Sequence, residues 1–339
     1  AVSMNLRYLE LNPRAPRVLR SMLLVCDAQI FPYLRDTIDE VFDALDGYRN
    51  ERLPDFLRIL EALVCSFHRW DAPSQEPPDD PSDDDDETRD SALNAVVHPE
   101  ILDWRDVVTK VLDRCSHLLE SSSPRVRLLV LSILMTSVDA LKNHEDHLLP
   151  AINALWPPLT CRFNDNELVV RTRAMEAVNC VIAAAPSFMG SRISADVVPA
   201  LLSHARTSTL HSSASVGDDS LLKFSIGFRH ERVLLRTFRI VLPLAHLANQ
   251  QGTELAEACL PYLSSTCPDQ LQHDAISVFE VLQARDPDGV WYVLARTCAP
   301  TISEPPDSRF VVPLFPQPSA KSMSNVQQLL ARCPVPDTL

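Results

Sequence analysis

Residues 126–141 read VRLLVLSILMTSVDAL, and residues 170–185 read VRTRAMEAVNCVIAAA. In the first stretch Val126, Val130, Ile133, Leu134, Ser137, Val138 and Leu141 recur at three- and four-residue steps. That spacing places side chains on one face of an α-helix. Moving 44 residues along the chain gives Val170, Ala174, Ala177, Val178, Val181, Ile182 and Ala185. Six of the seven positions are apolar in both stretches, and the seventh sets Ser137 against Val181. An arginine follows each leading valine, Arg127 in one case and Arg171 in the other.

A helical stripe that returns at this period is the mark of two-helix solenoid repeats of HEAT or armadillo length. The partner helix of each pair leaves an echo of its own. Leu148-Leu149-Pro150-Ala151-Ile152, Val197-Val198-Pro199-Ala200-Leu201 and Cys259-Leu260-Pro261-Tyr262-Leu263 share two apolar residues, a proline, a spacer and a further apolar residue. Proline is tolerated in the first turn of a helix, where an N–H has no partner to lose, and these prolines are expected there. A single amphipathic hairpin leaves its apolar face wet, and stacking of neighbours covers it. The expected fold is therefore all-α, an α-solenoid of HEAT-like antiparallel helix pairs forming an armadillo-type superhelix.

Working outward, N-terminal helical repeats fill residues 1–71, where Leu57, Leu60, Val64 and Phe67 share a face. Residues 72–98 break the pattern with Pro73, Pro77, Pro78 and Pro81 and an acidic run, and are expected to be a disordered loop. HEAT-like repeats resume over 99–300, with a Ser-rich insertion at 208–219. A Pro-rich tail, 301–339, is expected to be mostly disordered, with a short helix near Val326 to Ala331. The chain opens at Ala1 in mid-pattern, which suggests the C-terminal part of a longer protein.

The 339 residues carry a net charge of −14, and Asp79, Asp80, Asp83, Asp84, Asp85, Asp86 and Glu87 supply seven of those charges. This balance argues against a nucleic-acid scaffold. Only 6 Gly are present, so phosphate-binding loops have little raw material. The nine cysteines are scattered without a CxxC pair, which points to reduced thiols and a cytoplasmic and nuclear location. No uncharged stretch is long enough to span a membrane.

Motifs for chemistry are absent: there is no GxGxxG, GxxxxGK[ST], GxSxG or HExxH. No catalytic residue, cofactor or metal is expected. His144 and His147 share a helix face, yet the reading preferred for them is an exposed turn between helices. Cys115 and Cys180 lie in apolar stripes and are read as buried, inert thiols. Arg229, Arg232, Arg236 and Arg239 fall at steps of three, four and three. They form either a docking strip, for an acidic partner or for the chain's own acidic loop, or a solvated outer face. Arg127 and Arg171 are expected to bond acids of the adjacent repeat in a structural ladder. Trp156 is expected to plug the core, and Pro157 and Pro158 to kink or end their helix. Ser82, followed by four aspartates, is a candidate phosphorylation site of the casein kinase two type; the alternative is a merely solvating linker.

Taken in order, further motifs carry a resemblance. They are Val111-Leu112-Asp113-Arg114-Cys115-Ser116-His117-Leu118-Leu119 with Ser123-Pro124-Arg125-Val126-Arg127-Leu128, then Leu148-Leu149-Pro150 with Leu155-Trp156-Pro157-Pro158-Leu159 and Arg162. Ser191-Arg192 with Asp196-Val197-Val198-Pro199, and Asp286-Pro287-Asp288-Gly289-Val290-Trp291-Tyr292, complete the series. The series resembles the C-terminal solenoid of the Tti-one family, a subunit of the TTT (Triple T) cochaperone complex. That resemblance implies a non-catalytic scaffold that holds the Tel-two and Tti-two subunits. With the heat-shock chaperone and its adaptors, such a complex supports maturation of phosphatidylinositol-3-kinase-related kinases. A phosphoserine-binding adaptor of that system prefers acids on both sides of the serine, whereas Pro81 precedes Ser82 here. The rival readings are another HEAT-repeat adaptor, such as a nuclear transport receptor, and an enzyme with a pocket of clustered polar residues. Copurifying partners separate the first rival from the resemblance, and the sequence shows no cluster of the second kind.

Overall fold

The computed structural model describes residues 12–47, 52–70, 103–207, 220–247, 251–298 and 323–333. Among the described residues the regular elements are helices and there is no strand. They pack in the solenoid-like manner that the repeated stripes require. The acidic run with Ser82, the Ser-rich insertion and residues 299–322 of the Pro-rich region lie outside the described residues. Two compact units are present, Ala1–Leu159 and Thr160–Leu339.

In the first unit α1 (Ala15–Val25) leads through a 3-10 turn at Ala28–Tyr33 to α2 (Arg35–Gly47) and α3 (Leu53–Trp70), then α4 (Trp104–Leu118) and α5 (Pro124–Leu141). Helix α6 (Glu145–Cys161) begins in this unit. Helix α3 packs between α1 and α5 in one layer, and α2 and α4 lie against that layer. The spacing of Leu57, Leu60, Val64 and Phe67 puts them inside, but Phe56, Ile59 and Leu63 are buried too. A helix with neighbours on several sides needs a wider apolar stripe than a surface helix. The last turn of α3 also closes the end of α1. Ser66 donates to the Leu23 carbonyl (2.6 Å), and the Arg69 guanidinium and Trp70 Nε1 donate to the Cys26 carbonyl (2.9 and 3.1 Å). The carbonyls that a helix end leaves without intrahelical partners are thereby satisfied.

The second unit contains α7 (Leu168–Ala184), α8 (Pro186–Arg192), a π turn at Ile193–Val197, α9 (Val198–Thr207) and α10 (Ser220–Val241). These are followed by α11 (Gln251–Cys259), a 3-10 turn at Leu260–Leu263, α12 (Asp269–Arg285), α13 (Pro287–Cys298) and α14 (Met323–Arg332). Helices α7, α10 and α12 form one row and α9, α11 and α13 another, with α14 against α12 and α13. Thr172 meets His230, and Asn179 meets Thr237, both across 58 residues of chain. Each pair lies seven residues, two turns, beyond the other, so α7 and α10 run parallel and in register.

The three echoing prolines do not share one place. Pro199 is the second residue of α9, as expected, but Pro150 lies within α6 and Pro261 within the 3-10 turn after α11. Ahead of Pro199 the helix widens into the π turn, which accommodates the missing donor. Of the two outcomes expected at Pro157 and Pro158, a kink or an end, the helix does not end, because α6 continues past both to Cys161. The N–H groups that the two prolines lack would have faced the carbonyls of Asn153 and Ala154, and both residues are exposed.

The start of α13 shows how local chemistry fixes a hairpin. Asp286 accepts from the Gly289 N–H through Oδ1 (2.9 Å), and Pro287 opens the helix where its missing N–H is harmless. Two glycines cradle that carboxylate. A Cβ on Gly289 would stand 2.3 Å from Asp286 Oδ2 and 2.8 Å from Thr253 Oγ1, and one on Gly252 2.4 Å from the same carboxylate. Alanine would gain about 1 kcal/mol of helix propensity at Gly289. Overpacking and loss of the cap together cost about 2–4 kcal/mol. Gly289→Ala is therefore expected to lower unfolding free energy by about 1–3 kcal/mol in urea titration. A rise in the urea midpoint would show that helix propensity wins and that the cradle is not tight.

Candidate protein-binding surface

The four arginines of α10 do not share one fate. Arg229 donates to Glu176 on α7 (2.8 Å), and Arg232 donates to Asp274 (2.9 Å) and Gln270 (2.8 Å) on α12. Arg236 lies 3.6 Å from the same Asp274. Burial pushes the Glu176 carboxyl up, but hydrogen bonds from Arg229 and Arg173 outweigh it and hold the group below the usual carboxylate range. These three arginines tie α10 to both row neighbours. Arg229 is 67% exposed, so its pair contributes well under about 1 kcal/mol and serves register more than stability. Arg239 is exposed and has no partner among the described residues.

The repeat arginines are used differently. Arg127 is buried and donates to the Ser121 carbonyl (2.6 Å), so it closes the turn between α4 and α5. Arg171, half-buried, stands near two buried imidazoles, His204 and His230. The rings meet edge to face at 5.8 Å. Burial, then the adjacent His204 and Arg171, push His230 down to about 4. His204 is lowered by burial and by Arg171, against a hydrogen bond to the Phe163 backbone. Thr172 donates its single proton to the Leu168 carbonyl (2.8 Å), so its oxygen accepts from His230 Nδ1–H (3.0 Å). On the neighbouring position of α10, buried Glu231 accepts from the hydroxyl of Tyr262.

Trp156 is buried, at 5% exposure, with Pro157 exposed and Pro158 half-buried beside it. His144 and His147 are half-buried rather than exposed, because α4 holds them. Arg105 Nε donates to His144 Nδ1 (3.2 Å), Trp104 meets the same ring edge to face, and His147 lies 3.8 Å from Asp106. Cys115 is buried and its thiol is pushed up to about 12 by desolvation, whereas Cys180 is only half-buried. All nine cysteines are free thiols. Among the described residues no group of three or more His, Cys, Asp or Glu is placed to hold a metal ion, and no helix is long and apolar enough to cross a membrane. In the first unit α1 presents an apolar face in which Val18 and Val25 are 53% and 81% exposed.

A family model described as the TTI1 C-terminal TPR domain matches residues 45–291. The chain belongs to this family. A second model, TELO2-interacting protein 1, matches residues 1–42. The chain is 26% identical over 355 residues to the TELO2-interacting protein 1 homolog of Mus musculus, across 88% of this chain and 32% of that protein. Against the homolog of Homo sapiens it is 25% identical over 360 residues, across 90% and 33%. It thus spans about a third of the length of these curated relatives. Among solved structures, an engineered protein is similar with a TM-score of 0.47 and 14% identity, over 84% of this chain and 97% of that one.

Among the described residues of this TTI1 C-terminal member, the surface features are helix faces with their paired and unpaired arginines. Sequence reasoning overlooked Glu176 and Asp274, the acids that take up three of the arginines, and Arg285 at the end of α12. Glu176 was open to discovery, since it sits in the repeat stretch itself. Asp274 and Arg285 were not, because their place beside α10 depends on the register of two helices far apart in sequence.

The buried imidazoles make a prediction for this unit. A folded-state value below the ordinary 6.5 keeps His230 neutral where the unfolded chain would take up a proton. The stability from its burial is complete above about pH 6.5 and is lost as pH falls towards 4, with about 2 kcal/mol gone at pH 5. His204 acts with the same sign. Urea unfolding near pH 7.5 and pH 5 is expected to show this loss, and His230→Gln is expected to shrink it. An unchanged pH difference in the variant would exclude His230 as its source.

Proposed function

We propose that this chain is a non-catalytic scaffold that holds helical-repeat partner proteins through extended helix faces, within a complex of the TTT type. The match of the TTI1 C-terminal family model over residues 45–291 carries this reading. The relatives take their name from an interaction with TELO2, and on this proposal the chain contributes to an equivalent contact. The partner set is the Tel-two and Tti-two subunits, with the heat-shock chaperone, its adaptors and phosphatidylinositol-3-kinase-related kinases as the clients and machinery served. The proposed location is cytoplasmic and nuclear.

The physical support is the kind of surface present. Stacked helix pairs present continuous helix faces, which suit recognition of another helical protein better than capture of a small molecule. The pairing of Arg229, Arg232 and Arg236 within the second unit fixes helix register, so a partner meets a pre-formed surface and loses less entropy on binding. Ser82 is retained as a phosphorylation site through which an Arg- or Lys-rich adaptor pocket would dock.

Affinity purification of the chain from cells of its own source, with mass spectrometry of the bound proteins, is expected to recover Tel-two and Tti-two homologues. Recovery of cargo and a small GTPase instead, by bait shown to be helical and folded, would assign it to transport and contradict the scaffold reading.

A further inference from the structure

Helices α10 and α12 leave a groove of about 560 Å³ between them. Pro243, Val281 and Ala284 give it apolar surface, and Arg239, Glu280 and Arg285 give it charge. The charges are not equivalent. Glu280 is taken up by Arg332 of α14 (2.9 Å), which leaves its charge largely compensated. Arg239 and Arg285 are both exposed, and neither has a partner among the described residues. The contrast lies along α10 itself, where Arg229, Arg232 and Arg236 each have an acid from a row neighbour. Two uncompensated guanidiniums beside an apolar surface are unusual in a chain of net charge −14. Arginine's planar fork suits a carboxylate, and its pairing strengthens where apolar surface excludes water.

We propose that this groove takes an acidic, extended peptide segment of a partner protein. Arg239 and Arg285 pair with two of its carboxylates, and an apolar side chain lies on Pro243, Val281 and Ala284. The chain's negative charge excludes most acidic peptides from its surface, and the groove is where that exclusion is locally reversed. The attraction is screened by salt, so binding weakens as ionic strength rises. This assignment goes beyond the scaffold reading, because it names one surface and one ligand chemistry whichever complex the chain enters.

The test uses the purified full chain and a fluorescein-labelled Glu-Asp-Leu-Asp-Glu peptide, read by fluorescence anisotropy. Saturable binding is expected, with none for the uncharged Gln-Asn-Leu-Asn-Gln peptide. Arg239→Glu and Arg285→Glu are each expected to weaken binding about tenfold or more. Arg206→Glu makes the same change in net charge on α9, where Arg206 pairs with Glu254, and is expected to leave the affinity within about twofold. All three arginines are exposed, so the variants are expected to keep the helical circular dichroism of the parent chain. Absence of saturable binding, or equal losses in all three variants, would overturn the proposal. So would binding that emerges only when the chain is truncated after Cys333, since the groove would then belong to the chain's own last residues.

Discussion

Helix α10 is held from two sides, and the second unit depends on that constraint. Leu234, Leu235, Phe238 and Val241 are completely buried, while α7 and α12 lie to either side. Burying one such apolar side chain stabilises by about 1.5–3 kcal/mol, so the seams of α10 account for more of the fold than its ion pairs do. The apolar contacts do not by themselves choose a register, since a helix can slide along a greasy neighbour. The buried polar pairs choose it. Thr172 with His230 and Asn179 with Thr237 cannot be separated from each other without leaving donors or acceptors buried and unsatisfied.

The distribution of arginines follows from the same division of labour. A ladder of arginine–acid pairs between neighbouring helices exists on α10. Arg127 closes a turn, and Arg171 stands against imidazoles that burial keeps neutral. Once α10 has paired three of its arginines with acids of its row neighbours, the fourth, Arg239, is left without an acid among the described residues. It meets Arg285 there because α12 sits beside α10 in the same row. The same helix thus carries both the arginines that pair with its neighbours and Arg239 of the proposed groove.

Much of the fold was legible in the sequence. The stripe at Val126 and its return at Val170 reported a helical period and a repeat period together, and the helices observed over Pro124–Leu141 and Leu168–Ala184 contain both stretches except Ala185, the C-cap of the second. The short helix expected near Val326 to Ala331 lies within Met323–Arg332. The proline echoes were less informative. They stand in three different settings, within α6, just after a π turn and in a 3-10 turn, because a missing N–H is tolerated wherever the freed carbonyl reaches water or a widened turn absorbs it. The surface was the least legible part. Whether an arginine is paired depends on which acid the neighbouring helix brings within 4 Å, and a one-turn shift in register would exchange the paired and unpaired members of the stripe. The family resemblance rested on an ordered series of short motifs, several of which serve the fold. Asp286-Pro287-Asp288-Gly289 caps α13, and Trp156 is buried in α6.

Packed in this way, α10 couples its two row neighbours, so that neither is stable without it. Hydrogen exchange measured by mass spectrometry on the full chain carrying Phe238→Ala tests this directly. The side chain is fully buried, and its truncation costs about 3–5 kcal/mol. Faster exchange in α7 and α12 together with α10 is the predicted result. Faster exchange confined to α10, with α7 and α12 as protected as in the parent chain, would contradict it.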